Sequence, residues 1–370
     1  MKLFVTGTRG VPNIMGGVET HCEELFPRVA ALGVDVTLAR RTSYVKDELS
    51  EYKGVHLVNI KSPKKKCYEA IVHTFRAINE AKRMGADIIH IHAIGPALLA
   101  PYARLRGLKV VFTSHGPDYD RDKWNAGAKL MLKIGERMGV KFANEVIVIS
   151  QVIKKMYETK YGRMDCHLIY NGVPQPEVCS CSEYFSELGI EEGNYVLGMC
   201  RFVPEKNLHH LVSAFVLLKK NNPELFDSLH PCKLVLAGDT DFEDDYSRDL
   251  KKMARANGVV LTGFVKGKKL HSLLTHAKCY VLPSSHEGLP ISLLEAMSYD
   301  LPLIVSDIPA NLEVGLNQSC YFETGNVEQL KDRLRNVLSK EVYRIKYDMQ
   351  QYNWDDIAKQ VYGVYQLTIK

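Results

Sequence analysis

No apolar run in this chain approaches the roughly 18 residues that a membrane-crossing helix needs. The opening Met1-Lys2-Leu3-Phe4-Val5-Thr6-Gly7 reaches a glycine turn too early to be the core of a secretory leader, so a soluble or peripheral protein is expected. Cysteine supplies no framework: nine, an odd number, lie scattered over 370 residues, and only Cys179 and Cys181 are close. A single C-x-C lacks the second ligand pair of a zinc site, and scattered thiols read as small core side chains in a reducing cytosol. Neither sign of charge dominates. A net +5 is too weak to argue for nucleic acid, though it suits anionic small molecules or an anionic membrane face. The first glycine turn spells G-x-x-G at Gly7 and Gly10, not the G-x-G-x-x-G of a dinucleotide site.

What the chain does have is alternation. Lys2–Thr6, Val34–Ala39, Val55–Ile60, Asp87–Ile91, Lys109–Thr113 and Glu145–Ile149 are short Val/Ile-rich runs, as in a parallel sheet covered on both faces. Between them, Gly17–Ala31, Cys67–Met84, Gly95–Arg106 and Ala126–Phe142 have helical spacing. The pattern breaks at Asn171-Gly172-Val173-Pro174-Gln175-Pro176, where turn chemistry places a boundary, with a Ser-rich linker at Cys179–Ser186. It then resumes, with strands at Tyr195–Cys200, Lys233–Ala237, Val259–Leu261, Cys279–Leu282 and Leu303–Val305. The helices there are Asn207–Lys219, Asp244–Ala256, Lys268–His276 and Pro290–Tyr299, followed by a last one near Asp355–Leu367. This is an α/β chain with two doubly wound, Rossmann-like domains, residues 1–172 and 173–352, expected to face each other across a cleft.

The stretch Cys279 to Met297 carries the sharpest chemistry. A strand runs through Ser284-Ser285-His286-Glu287-Gly288-Leu289 into a helix expected to start at Pro290, the position where a missing N–H costs nothing. Backbone N–H groups about Gly288 and the positive helix end suit a diphosphate. Glu295, set among Leu293, Leu294, Ala296 and Met297, needs hydrogen-bond donors such as a ribose diol. Arg201 and Lys206, in Arg201-Phe202-Val203-Pro204-Glu205-Lys206-Asn207, sit between a strand and a helix, where two cations can meet phosphates. Gly16 and Gly17 open the first helix and let a ligand approach the backbone. His115 follows a strand, in Thr113-Ser114-His115-Gly116-Pro117-Asp118-Tyr119-Asp120-Arg121-Asp122-Lys123-Trp124, and Trp124 could stack on a sugar. Asp239-Thr240-Asp241 spells a metal-nucleotide D-x-D, but Arg201 and Lys206 would already neutralise a diphosphate. Lys64-Lys65-Lys66 and a helix with Lys129, Lys133, Arg137 and Lys141 offer basic faces, solvated or set against anionic lipid.

Four of these segments together resemble the retaining nucleotide-sugar glycosyltransferases of family 4, of the two-domain GT-B fold. They are E-x7-E from Glu287 to Glu295, the Arg201–Asn207 run, the Gly7–Thr20 loop and His115-Gly116. The loop and the H-G-x-D-x-x-R-x-K-W run at His115–Trp124 are similar to a subgroup that includes surface-polysaccharide rhamnosyltransferases. The resemblance implies a metal-independent enzyme with no cofactor, which moves a sugar from a nucleotide-diphosphate donor to a saccharide or lipid-linked acceptor. It implies that Glu287 and His115 attend the donor sugar. Arg201, Lys206, Gly16, Gly17, Gly288, Leu289 and Glu295 would hold the donor, and Asp118, Arg121, Lys123 and Trp124 would shape the acceptor side. It also implies a C-terminal helix (353–370) returning to the first domain, and a cytoplasmic enzyme with possible peripheral contact to the membrane. Cys200 and Pro290 stand where the family usually has glycine. Other readings are a non-hydrolysing sugar-nucleotide epimerase, an NAD(P)-linked oxidoreductase and a non-catalytic sugar-binding protein.

Overall fold

The computed structural model describes residues 1–63, 68–120, 124–229, 231–340 and 344–370. Two compact units divide the chain: Met1–Gly172 with Gln351–Lys370, and Val173–Gln350.

The first unit holds β1 (Lys2–Thr6), β2 (Asp35–Arg41), β3 (Glu51–Tyr52), β4 (Val55–Ile60), β5 (Ile88–His92), β6 (Lys109–Ser114), β7 (Glu145–Val148) and β8 (His167–Leu168). They form one sheet in the order β3-β4-β2-β1-β5-β6-β7-β8. All pairs are parallel except the short β3 hairpin with β4. Apolar residues occupy both faces of the central strands, so helices must cover both sides. The helix Gly17–Ala31 does so with Cys22, Leu25, Phe26 and Val29. The last helix, Trp354–Ile369, buries Trp354, Ile357, Val361 and Tyr365 in that same core, which explains why a segment so distant in sequence belongs to this unit.

The second unit holds β9 (Tyr195–Met199), β10 (Lys233–Ala237), β11 (Val260–Gly263), β12 (Cys279–Leu282), β13 (Leu303–Ser306) and β14 (Tyr321–Phe322), all parallel, in the order β11-β10-β9-β12-β13-β14. The order reverses beside β9 and β12. Loops leaving the C-terminal ends of these two neighbours therefore emerge side by side, the usual place for a ligand in an open α/β sheet.

The structure departs from the sequence reading in several places, the short strands β3 and β14 and the helix Pro309–Leu312 among them. Pro290 is the N-cap rather than the first helical residue, with an extended ψ of 112°, and the helix runs Ile291–Ser298. The expected linker contains a helix, Ser182–Leu188, closed by left-handed Gly189; its composition is polar, yet Tyr184 and Phe185 are buried. Gly95–Arg106 splits into a 3-10 turn and a short helix, Ala100–Leu105. The helix Val327–Leu338, which packs Leu330 and Leu334 into the second core, escaped the sequence reading. Five of the eight described cysteines are buried, and all eight are free thiols.

Candidate active site

In the second unit, Cys200–Asn207 leaves β9 and Pro283–Pro290 leaves β12, and hydrogen bonds bind the two loops together. The Ser285 backbone N–H donates to the Glu205 carbonyl at 2.9 Å, and its hydroxyl donates to the same oxygen at 3.2 Å. Asn207, in the left-handed region at φ 49°, donates its amide to the Pro283 carbonyl at 3.2 Å. Across this seam the Lys206 ammonium forms an ion pair with Glu287, the two side chains only 15% and 8% exposed. The ammonium and the Glu287 carboxylate thus share a position that the sequence assigned to separate tasks.

Beneath them, the buried Tyr280 hydroxyl reaches the Met199 carbonyl at 3.2 Å and the Ser292 hydroxyl at 2.9 Å, fixing the helix start against β9. Leu289 is buried, whereas Gly288 and Glu295 are partly exposed. No side chain caps the helix Ile291–Ser298; the Leu293 and Leu294 N–H groups donate to the Pro290 carbonyl at 3.1 and 3.3 Å, which leaves the N–H groups of Ile291 and Ser292 at the helix start. Burial pushes the Cys200 thiol up to about 12, which keeps it protonated and poorly nucleophilic.

Arg201 lies 4.0 Å from Asp241, and Asp239 accepts from Lys251 at 2.8 Å. Both acids of the D-x-D spelling therefore face cations of the protein. Gly238 at φ 130° has no room for a side chain, because a Cβ would strike the Cys200 carbonyl at 2.0 Å. That close approach holds the Arg201 loop against the end of β10.

In the first unit, Gly16 caps the helix Gly17–Ala31 at φ 147°. A Cβ there would meet the Glu19 carboxylate at 2.2 Å and the Arg9 guanidinium at 2.3 Å, while at Gly17 nothing lies within 4 Å. Glu19 is buried; it accepts from the Arg9 backbone at 3.0 Å and the Arg9 side chain at 2.8 Å, locking the loop after β1.

His115, one residue past β6, belongs to a group of rings. Its Nε2 lies 3.0 Å from Nδ1 of His92, the last residue of the adjacent β5. The two rings stack at 5.3 Å, and His21 of the first helix meets His115 edge-on at 5.0 Å. His21 Nδ1 pairs with Asn171 Oδ1 at 2.9 Å. Burial lowers the His21 pKa to about 4 and holds those of His92 and His115 well below the ordinary imidazole value, so all three rings are neutral at pH 7.

Asp118 opens a 3-10 turn and Trp124 is partly buried; Arg121 and Lys123 lie outside the described residues, as do Lys64, Lys65 and Lys66. The sequence reading missed Glu205, Asn207 and Ser285, which tie the second-unit loops, and Glu19, His21, His92 and Asn171 in the first. The motif spelling already contained Glu205, Asn207, Ser285 and Glu19. His21, His92 and Asn171 carried no local signal, since strand register and chain return alone bring them to His115.

Two family models match the chain in order: "Glycosyltransferase Family 4" over residues 15–175 and "Glycosyl transferases group 1" over residues 182–354. An uncharacterized glycosyltransferase of Methanocaldococcus jannaschii is 25% identical, covering 100% of this chain and 99% of its own. The UDP-Gal:alpha-D-GlcNAc-diphosphoundecaprenol alpha-1,3-galactosyltransferase of Escherichia coli is 26% identical over 89% of this chain and 84% of its own. Among solved structures, Anabaena HepE in complex with UDP-glucose superposes with a TM-score of 0.78 at 16% identity, covering 99% of both chains. These matches favour neither the epimerase nor the oxidoreductase reading. With glycosyltransferase models along both halves and the fold of such enzymes throughout, the chain is a glycosyltransferase of the GT-B type, akin to family 4.

Proposed function

We propose that the protein is a retaining, metal-independent transferase of surface-polysaccharide synthesis, which takes a sugar from a nucleotide-diphosphate donor to a saccharide or lipid-linked acceptor. The observation that carries this reading is the partly buried Lys206–Glu287 pair, on the loop that also carries Arg201, at a helix start without a side-chain cap. Arg201 and Lys206 meet the diphosphate, helped by N–H groups about Gly288 and Leu289, and Glu295 takes the ribose diol. Glu287 and His115 contact the donor sugar. Gly16 and Gly17 leave backbone open to the phosphates or the acceptor, and Asp118 and Trp124, with Arg121 and Lys123, serve the acceptor side.

In this reading the anomeric carbon–oxygen bond to the diphosphate breaks while the acceptor oxygen bonds on the same face, and the departing diphosphate receives the acceptor proton. Cationic groups in place before reaction stabilise the departing charge, which supplies a large share of catalysis. Arg201 and Lys206, which face Asp241 and Glu287, are the cationic groups that meet the phosphates in place of a metal.

Two relatives support the setting. The Escherichia coli enzyme acts, by its name, on a diphosphoundecaprenol-linked sugar, and HepE binds UDP-glucose. Rhamnose as the transferred sugar rests on the subgroup resemblance alone. No helix among the described residues is long and apolar enough to cross a membrane. Peripheral contact from the cytoplasmic side is supported by the helix Ala126–Phe142, where exposed Leu130 and Ile134 adjoin Lys133, Arg137 and Lys141. Pelleting with anionic and neutral liposomes tests it, and equal binding to both removes this contact.

The deciding experiment is a thermal-shift panel of UDP, GDP, dTDP, ADP and NAD(P)+, each with EDTA and with Mg2+. Stabilisation by one nucleoside diphosphate in EDTA is expected; stabilisation only with Mg2+ overturns metal independence.

A further inference from the structure

The three imidazoles around His115 form a constellation that sugar transfer does not require. One ring nitrogen from each of His21, His92 and His115 lies within 4.8 Å of the other two. His21 Nε2 and His92 Nε2 are buried and have no hydrogen-bond partner. His21 is oriented from behind: its Nδ1 meets the Asn171 carboxamide oxygen, the arrangement that presents Nε2 as a lone pair. His115 is the partly exposed member and gives access from solvent.

We propose that His21, His92 and His115 form a binding site for a divalent transition metal, Zn2+ foremost. Imidazole nitrogen suits zinc, and three protein ligands leave a fourth position for water or substrate. Tetrahedral Zn–N bonds of about 2.0–2.1 Å set ligand atoms about 3.3 Å apart, so separations of up to 4.8 Å close by at most about 1.5 Å, and the His92–His115 hydrogen bond, at 3.0 Å, gives way to metal. The buried Glu19 carboxylate, which acts electrostatically on His115, offsets part of the cation's charge. A metal here occupies the His115 nitrogen, so it inhibits transfer instead of assisting it. This consequence, unlike the site itself, rests on the assignment of His115 to the donor sugar.

The test is titration of the full-length protein with Co2+, followed by its visible absorption, and with Zn2+ by calorimetry. One equivalent with the intense bands of tetrahedral cobalt is expected, lost in His21→Ala and His92→Ala and kept in His209→Ala/His210→Ala, a control that removes the adjacent imidazoles on the helix Leu208–Asn221 of the second unit. Asn171→Ala retains all three rings and, with its fold checked by circular dichroism, should weaken binding about tenfold. Absence of binding, or binding that follows His209 and His210, overturns the site. Binding with no loss of transfer supports the site and overturns only the assignment of His115.

Discussion

Lys206 and Glu287, 81 positions apart, form a largely enclosed ion pair, their side chains 15% and 8% exposed, that bridges the loops leaving β9 and β12. Breaking one half strands the other charge in a place with little water. Lys206→Ala or Glu287→Gln should cost about 3 kcal/mol of stability and lower turnover by about 100-fold or more. The double variant Lys206→Met/Glu287→Gln should recover most of the stability and none of the turnover. Urea unfolding and a donor-consumption assay separate the two; turnover intact in both single variants would reject the assignment.

Glu295 should decide nucleotide affinity while contributing little to stability, because it is partly exposed on the helix Ile291–Ser298. A nucleoside diphosphate at ~100 times its dissociation constant adds about 2.7 kcal/mol. Glu295→Ala should abolish most of that gain in a thermal-shift assay and leave the unliganded midpoint close to wild type.

The paired glycines should behave differently. Gly16→Ala imposes a strained φ of 147° and pushes on Glu19 and Arg9, for a loss of roughly 1–3 kcal/mol. Gly17→Ala enters open space, so the protein should fold like wild type. Reduced turnover in a normally stable Gly17→Ala protein would show that a ligand approaches this backbone; unchanged turnover would remove Gly17 from the site.

Acid sensitivity follows in part from His73, along with His21, His92 and His115; the His73 pKa is lowered to about 3 by burial first and by the nearby Arg41 charge second. The unfolded imidazole takes up a proton near pH 6.5 and the folded one does not, so stability is complete above pH 6.5 and falls between pH 6.5 and about 3. His73→Gln should flatten this decline by about 1.4 kcal/mol per pH unit between pH 6 and 4. Denaturant midpoints at several pH values check it, and an unaltered slope refutes it.

Much of the second-unit site could be read locally. Strand, polar turn and helix follow one another from Cys279 to Ser298, so Glu287 and Glu295 had to lie near a strand end. Arg201 and Lys206 leave the adjacent strand. Their proximity to Glu287 was not legible, since it depends on β9 and β12 being neighbours. The linker reading failed for a simpler reason: two buried aromatic residues, Tyr184 and Phe185, outweigh the polar composition around them.

The sequence by itself determined the two α/β repeats, the loops that carry the charged motifs and the glycines they need, because these follow from periodicity, turn chemistry and backbone sterics within short windows. Only tertiary structure decided which side chains share a position. Strand order and the return of the last helix set long-range neighbours, so His92 meets His115, Asn171 orients His21 and Glu287 receives the Lys206 ammonium. Such contacts are fixed by how whole elements bury their apolar faces, which no local window of sequence contains.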